Sequence, residues 1–320
     1  MSDTKLKTRP LGTTGMAVTR VGFGAWAIGW GGWEFGWGPQ DDEQSVAAIH
    51  AALHQGVNWI DTAAAYGFGR SEEIVGEALS GLAQRPYVFT KCSLLEGPGR
   101  TVVHSLSRDS IMSEAEASLK RLRIDAIDLY QMHWPDPDSD IEEGWAALAE
   151  LKAQGVVRHI GVSNFSVEQL RRVQQIAPVE TLQPPYSLVD RDVEPEILPF
   201  AEREAIGVIV YSPMGSGLLT GRMTRERIEN LADDDWRKRD ARFREPQLSR
   251  HLELVARLTT IAQRYDTAPG AVAVAWALRN PAVDAAIVGF RRPDQVDPIL
   301  PAANLDLTAD DVTYIEGARS

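Results

Sequence analysis

The sequence predicts an α/β protein of the (β/α)8 TIM-barrel class, with an N-terminal β-hairpin and extra C-terminal helices. Three observations predict it. Short apolar runs alternate with helix-length segments, giving eight strand candidates, and such alternation implies a parallel sheet. The rhythm runs through 320 residues with no break in composition, which favours one closed barrel domain over residues 1–320. No G-x-G-x-x-G follows an early strand, which argues against an open sheet with a glycine-rich phosphate turn.

The elements follow in order. Residues 6–19 carry the turn signals Leu11-Gly12-Thr13-Thr14-Gly15 between strand-like pieces and read as the hairpin. Val21-Gly22-Phe23-Gly24-Ala25-Trp26 reads as the first barrel strand. Trp26, Trp30, Trp33 and Trp37 have helix-like spacing, yet Gly29, Gly31, Gly32, Gly36 and Gly38 break up the segment, costing about 1 kcal/mol each in a helix. A loop wins, and its aromatics can wall a pocket. Asp41-Asp42 caps a helix near 43–55, closed by Gly56 before a strand at 57–61. Ser71 with Glu72-Glu73 opens the next helix, to about residue 80, before the strand 87–91. Helix 110–122 precedes strand 127–132, helix 141–153 precedes strand 156–162, and Ser166 opens a helix to about 176 before Thr181-Leu182-Gln183. Helix 194–205 leads into strand 208–211. A polar stretch, 219–247, interrupts; its part 233–247 reads as a solvated loop in which an arginine can clasp a phosphate. Helices near 249–264 and 269–279 then precede strand 285–289 and a helical tail.

Composition excludes several classes of function. A net charge of −12 disfavours nucleic acid or an anionic membrane as partner. The single cysteine, Cys92, rules out an internal disulfide framework and suits a reducing compartment. It reads as a buried structural thiol, with no His-Cys pairing evident. The N-terminus lacks an apolar signal core and no apolar run approaches about 18 residues, so a cytoplasmic location is expected. The six histidines are scattered along the chain, and no metal site is expected.

Four residues stand out at or just beyond strand ends: Asp61, Tyr66, Lys91 and His133. In a parallel barrel, active sites form at the C-terminal ends of strands and the loops that follow them, so these side chains can converge. A lysine ending a buried strand must find a partner or lose its charge. Taken singly, Asp61 reads as well as a cap and Tyr66 as packing; their joint placement favours function. A free phenol, with a pKa near about 10, is a poor acid. An adjacent ammonium, held by an aspartate, is expected to lower it. Such a phenol can protonate a carbonyl oxygen as hydride reaches carbon, while His133 orients that oxygen. Carbonyl reduction is the expected chemistry.

The ordered motifs resemble the aldo-keto reductase family. They are Asp61-Thr62-Ala63-Ala64-Ala65-Tyr66-Gly67 with Ser71-Glu72, Thr90-Lys91, Asp128 to Trp134, Gly161-Val162-Ser163-Asn164-Phe165, Gln183-Pro184-Pro185-Tyr186-Ser187, Tyr211 to Gly221, and Ile287 to Pro293. The resemblance implies a barrel that binds NADPH, with NADH as the alternative, and a catalytic tetrad of Asp61, Tyr66, Lys91 and His133. It implies that Ser163, Asn164 and Gln183 hold the nicotinamide carboxamide and that Tyr211 stacks on the ring. Ser212, Pro213, Met214, Ser216 and Gly217 form a loop able to present backbone N–H groups to the diphosphate, with Arg222 nearby. Gly289, Arg291 and Gln295 fall at the family's adenosine-phosphate positions, and Trp26 joins the candidate cofactor contacts. Where the family commonly carries Glu-Asn to hold adenine, this chain has Pro298-Ile299. The expected partner is a small carbonyl compound. Two rival readings are an NADPH-binding redox sensor with slow turnover and a Schiff-base lyase acting through Lys91.

Overall fold

The computed structural model describes residues 5–317; the N-terminal residues 1–4, part of the segment read above as lacking a signal core, lie outside that range. Among the described residues there are twelve strands. A short antiparallel hairpin, β1 (Thr8–Pro10) and β2 (Ala17–Thr19), comes first. Then follow β3 (Val21–Gly24), β4 (Trp59–Asp61), β5 (Tyr87–Cys92), β6 (Leu94–Glu96), β7 (Val102–His104) and β8 (Ile127–Met132). The last four are β9 (Val157–Ser163), β10 (Thr181–Gln183), β11 (Gly207–Val210) and β12 (Ala285–Gly289). Strands β3, β4, β5, β8, β9, β10, β11 and β12 close into a parallel barrel in that order, β12 pairing with β3. The eight-unit expectation is met.

The barrel interior is an apolar plug of Trp59, Phe89, Leu129, Ile209, Ala285 and Ile287. Trp59 fits only because Gly22 has no side chain: a Cβ there would lie 2.1 Å from the indole. Burying an indole of this size contributes about 4 kcal/mol at 25 cal/mol per Å2. Leu11, Met16 and Val18 of the hairpin complete that plug from the end where the strands begin. Gly12, at φ +49°, touches the amide of Gly207 where a Cβ would sit 2.3 Å away, so only glycine serves there.

The helices surround the barrel. Helix α1 (Asp42–His54) is capped by the Asp41 carboxylate, which accepts from the Gln44 amide. Helix α2 (Arg70–Leu79) departs from expectation: Gly69, at φ 98°, precedes it and Ser71 is no cap. The Ser71 hydroxyl instead donates to the Ala25 carbonyl at 2.8 Å and pairs with Thr62, tying the first two barrel units together. Next come α3 (Arg108–Leu122) and α4 (Ile141–Ala153), then α5 (Val167–Val173) with a full capping box at Ser166. Helix α6 (Ile197–Arg203) and α5 are both shorter than the sequence pattern suggested.

A one-turn helix, α7 (Arg225–Glu229), interrupts the polar stretch. Helices α8 (Gln247–Arg264) and α9 (Pro269–Leu278) follow, α9 buried on every side and started by proline, and α10 (Ala309–Glu316) ends the fold. Among the described residues, no helix is long and apolar enough to cross a membrane. The tryptophan-glycine segment is non-helical apart from one 3-10 turn, Trp26–Ile28.

The antiparallel pair β6–β7 was not foreseen. It rises directly from the end of β5, so it stands beside Lys91 at the barrel mouth. The reading of 233–247 as a solvated loop is also overturned. Asp235, Arg237 and Phe243 are buried there, with Asp235 and Arg237 joined by bonds of 2.9 and 2.6 Å. This strap is stitched to the tryptophan loop. The Trp236 amide donates to the Gly36 carbonyl at 3.1 Å, and the Trp236 ring stacks on Trp26 at 5.3 Å. The Arg237 guanidinium sits 4.4 Å from the centre of the Trp37 ring.

Candidate active site

Strand ends set the geometry. Asp61 ends β4, Lys91 is the penultimate residue of β5, and His133 follows β8 immediately. Tyr66 comes from the turn after β4. The Lys91 Nζ donates to Asp61 Oδ1 at 2.6 Å, to the Thr62 carbonyl at 2.9 Å and to the Tyr66 hydroxyl at 3.3 Å. The Tyr66 ring meets that of His133 edge-on, with centroids 5.6 Å apart. The four residues converge.

Their electrostatics differ from the sequence expectation in one respect. Burial pushes the Tyr66 phenol well above its ordinary pKa, and the Asp61 charge adds to this. Lysine does not lower it, because Asp61 already cancels the ammonium; the phenol faces a neutral pair in a dry site. Burial likewise pushes Asp61 up and Lys91 down, opposed in each by the partner's charge. His133 is held well below the usual imidazole range by burial and then by Lys91. Tyr66 therefore carries its proton at neutral pH and His133 is uncharged.

The network continues beyond the four. Gln183 Nε2 donates to Asp61 Oδ2 at 2.9 Å and to the side-chain oxygen Oε1 of buried Gln131 at 3.4 Å. Gln131 was missed by sequence reasoning, although its place two residues before His133 on a buried strand is a readable signal. The Ser163 hydroxyl donates to the Gln183 carbonyl at 2.7 Å. Asn164, in the left-handed region at φ 64°, donates to the His133 carbonyl at 2.9 Å and accepts from the Tyr211 hydroxyl at 2.9 Å. The two sets of candidates are thus one hydrogen-bonded assembly joined through Gln183.

This assembly floors a cavity of about 680 Å3. Asp61, Tyr66, His133, Asn164, Gln183, Tyr211 and Trp26 line it, whereas Lys91 and Ser163 stand behind the wall. Farther along lie Ser212, Pro213, Met214, Ser216 and Gly217. Ser212, Gly215, Ser216 and Gly217 all have positive φ. Among the described residues, the amides of Met214, Ser216 and Gly217 donate to no protein acceptor, the pattern of an anion-binding nest.

At the far end lie Gly289, Arg291, Gln295, Pro298 and Ile299. Arg291 is engaged by the protein, donating to Gln40 at 2.7 Å, to the Trp37 carbonyl at 3.2 Å and to the Pro39 carbonyl. Gln295 accepts from the Arg291 amide at 2.7 Å, and Arg292 pairs with Asp294. Arg222 and Arg227 line the same end and, among the described residues, have no carboxylate partner. Arg227 was not singled out from the sequence.

One carboxyl behind the wall reports on pH. Glu114 accepts from the Ser93 amide and the Ser110 hydroxyl, both at 3.0 Å, and burial pushes it up to about 7. Its folded pKa exceeds the ordinary 4.5, so this contribution to stability is complete below pH 4.5 and lost as pH rises through about 7. Between pH 5 and 8 the wild type should lose about 2–3 kcal/mol more than Glu114→Gln. Urea midpoints at the two pH values check this, and parallel losses would contradict it.

Comparison with known proteins decides the family. The model of the Aldo/keto reductase family matches residues 20–320. The chain belongs to the aldo-keto reductase family. Aldo-keto reductase YhdN of Bacillus subtilis is 41% identical over 304 residues, 94% of this chain and 90% of that protein. The NADH-specific methylglyoxal reductase of Escherichia coli is 36% identical, covering 97% of each. The solved structure of the glycerol dehydrogenase AKR11B4 from Gluconobacter oxydans superposes with a TM-score of 0.88 at 37% identity, over 99% of this chain and 95% of that one. This reductase is accordingly an NAD(P)H-dependent oxidoreductase of carbonyl compounds. Its cavity fits such a cofactor, with an amide cluster beside a flat ring at one end, backbone donors without a protein acceptor midway, and, among the described residues, guanidinium groups without a carboxylate partner at the other.

Proposed function

We propose that the protein reduces aldehydes or ketones with NADPH, with Tyr66 as proton donor and the whole chain working as one barrel domain. One observation carries this reading: the Lys91 ammonium touches both the Asp61 carboxylate and the Tyr66 hydroxyl, at 2.6 and 3.3 Å, beside the cavity. A reduced nicotinamide bound there supplies hydride. Tyr66 and His133 point two neutral donors at one spot, where a carbonyl oxygen gains charge as hydride arrives. Lys91 donates to the phenol oxygen, so it stabilises the phenolate that remains after the proton leaves. Asp61 and the Thr62 carbonyl fix that ammonium in place. Asn164 and Gln183 hold the carboxamide, with Ser163 supporting Gln183 from behind and Tyr211 against the ring. The backbone donors of 212–217 take the diphosphate, and Gly289 and Gln295 shape the adenosine end.

Two of the named relatives act on small compounds, methylglyoxal for one and glycerol for the other, which supports a short substrate. The methylglyoxal enzyme is NADH-specific, so cofactor choice rests on this chain's own charges. Arg291 is held by Trp37, Pro39 and Gln40 through each of its three nitrogens, so Arg222 and Arg227 are the cations we assign to a 2′-phosphate. The protein should consume NADPH over many turnovers with a simple aldehyde, and NADH more slowly. Arg222→Ala/Arg227→Ala should raise KM for NADPH about tenfold or more and leave that for NADH within about twofold. Absence of aldehyde-dependent turnover with either cofactor would end the reading; equal shifts with both would end the NADPH preference.

A further inference from the structure

Gln131 is fully buried and stands outside the catalytic four. On β8 it lies between Leu129 of the apolar plug and His133 at the mouth, two residues from each, so all three share the inward face. Across the sheet it is in register with Lys91 on one side and Gly161 on the other. The Lys91 ammonium gives its three hydrogens to Asp61, Thr62 and Tyr66, so it does not engage this amide. Gly161 presents no side chain at that level, and Gln131 meets Gln183 of β10 from beyond β9. Among the described residues this contact, at 3.4 Å, is the hydrogen bond of the Gln131 side chain; its own Nε2 is buried without a partner. An apolar residue would fill such a place at lower cost, so packing alone does not account for an amide there.

Gln183 gives its two Nε2 hydrogens to Asp61 Oδ2 and Gln131 Oε1. Two acceptors on the inner side settle the sense of the amide, with its nitrogen turned inward and its oxygen left for the cavity that Gln183 lines. Among the described residues that oxygen accepts from no protein donor and is not sealed in. Asn164 is committed in the same sense, its Nδ2 donating to the His133 carbonyl and the Ser163 hydroxyl. These two amides therefore offer a ligand oxygens and no N–H. An amino group satisfies such a floor and a methyl group does not. We propose that Gln131 is a positioning residue: by taking the second Gln183 hydrogen it holds the Gln183 oxygen toward the amino group of the cofactor's carboxamide. The carboxamide is thereby selected over a ketone of the same shape. This rests on the reading of the cavity as a nicotinamide site.

The acetylpyridine analogue of NADP+ tests this, because it carries a methyl group where the carboxamide has its amino group. Quenching of tryptophan fluorescence reads both dissociation constants. The wild type should bind NADP+ about tenfold or more tighter than the analogue. Gln131→Met, of similar length and without a strong acceptor, should cut that preference to about threefold or less, chiefly by weakening NADP+. Gln131→Glu still offers Gln183 an oxygen and should retain the preference. Burial pushes Asp61 up, and Gln131 is among the neighbours that oppose this. A role exercised through that carboxylate alone would lower kcat with both cofactors and leave the binding ratio as it was. An unchanged ratio in Gln131→Met, or a ratio lost equally in Gln131→Glu, would overturn the assignment of Gln131. A wild type with equal affinity for both nucleotides, or for neither, would instead overturn the nicotinamide reading beneath it.

Discussion

Replacing Tyr66 by phenylalanine is expected to lower kcat by about 10²–10⁴-fold while the dissociation constant for the nicotinamide cofactor stays within about twofold. The substitution keeps the ring, and with it the edge-on contact to His133 and the stacking on Trp26 at 6.3 Å. Only the hydroxyl is lost. That hydroxyl is protonated well past neutral pH, because burial and the nearby Asp61 charge disfavour phenolate. It is therefore poised as a donor across the ordinary pH range. Neutral His133 remains to hydrogen-bond the carbonyl oxygen, so a residual rate should persist. Undiminished turnover in Tyr66→Phe would remove tyrosine from the proton path and return the role to His133.

Lys91→Met should abolish turnover and also destabilise the fold by about 3–5 kcal/mol. The lysine is fully buried and satisfies Asp61 and the Thr62 carbonyl at once. Without it, the Asp61 carboxylate keeps only neutral donors in a dry site. Burial already pushes that carboxyl up, and loss of the ammonium pushes it further. The folded form of the variant then holds a proton that the unfolded form releases above a pKa of about 3.9. The stability deficit should consequently shrink as pH falls from about 8 toward 5, the direction set by a raised carboxyl pKa. Urea unfolding across that range measures it. Asp61→Asn/Lys91→Met should recover much of the loss, because the uncompensated charge is gone; a single variant as stable as the wild type would mean Asp61 is not held ionised.

The barrel was legible because parallel strands buried on both faces leave continuous apolar runs. A charged residue closing such a run, as Lys91 does, has few structural explanations. Asp61, Tyr66, Lys91 and His133 could be read for that reason. What escaped the sequence depended on pairing between residues rather than on their kind. Asp235 and Arg237 look like solvated charges, yet at a spacing of two on a turn they satisfy each other and sink into the roof. The β6–β7 hairpin surrounds Gly97-Pro98-Gly99, and three-residue strands carry too little alternation to be seen. Ser71 resembled a helix cap because its chemistry suits one, but a tertiary acceptor, the Ala25 carbonyl, took its proton. Tyr66 does lie beside Lys91, but its phenol is pushed up rather than down, since the charge on a lysine counts for little once an aspartate has answered it.

The stitching of the tryptophan loop to the 231–243 strap bears on how often the enzyme can exchange its nucleotide. One layer hangs from β3 and the other from β11, yet they share a main-chain bond, an indole stack and a guanidinium–ring contact. They form one connected layer rather than two separate flaps. A cofactor bound beneath it is expected to leave only when the whole seam parts.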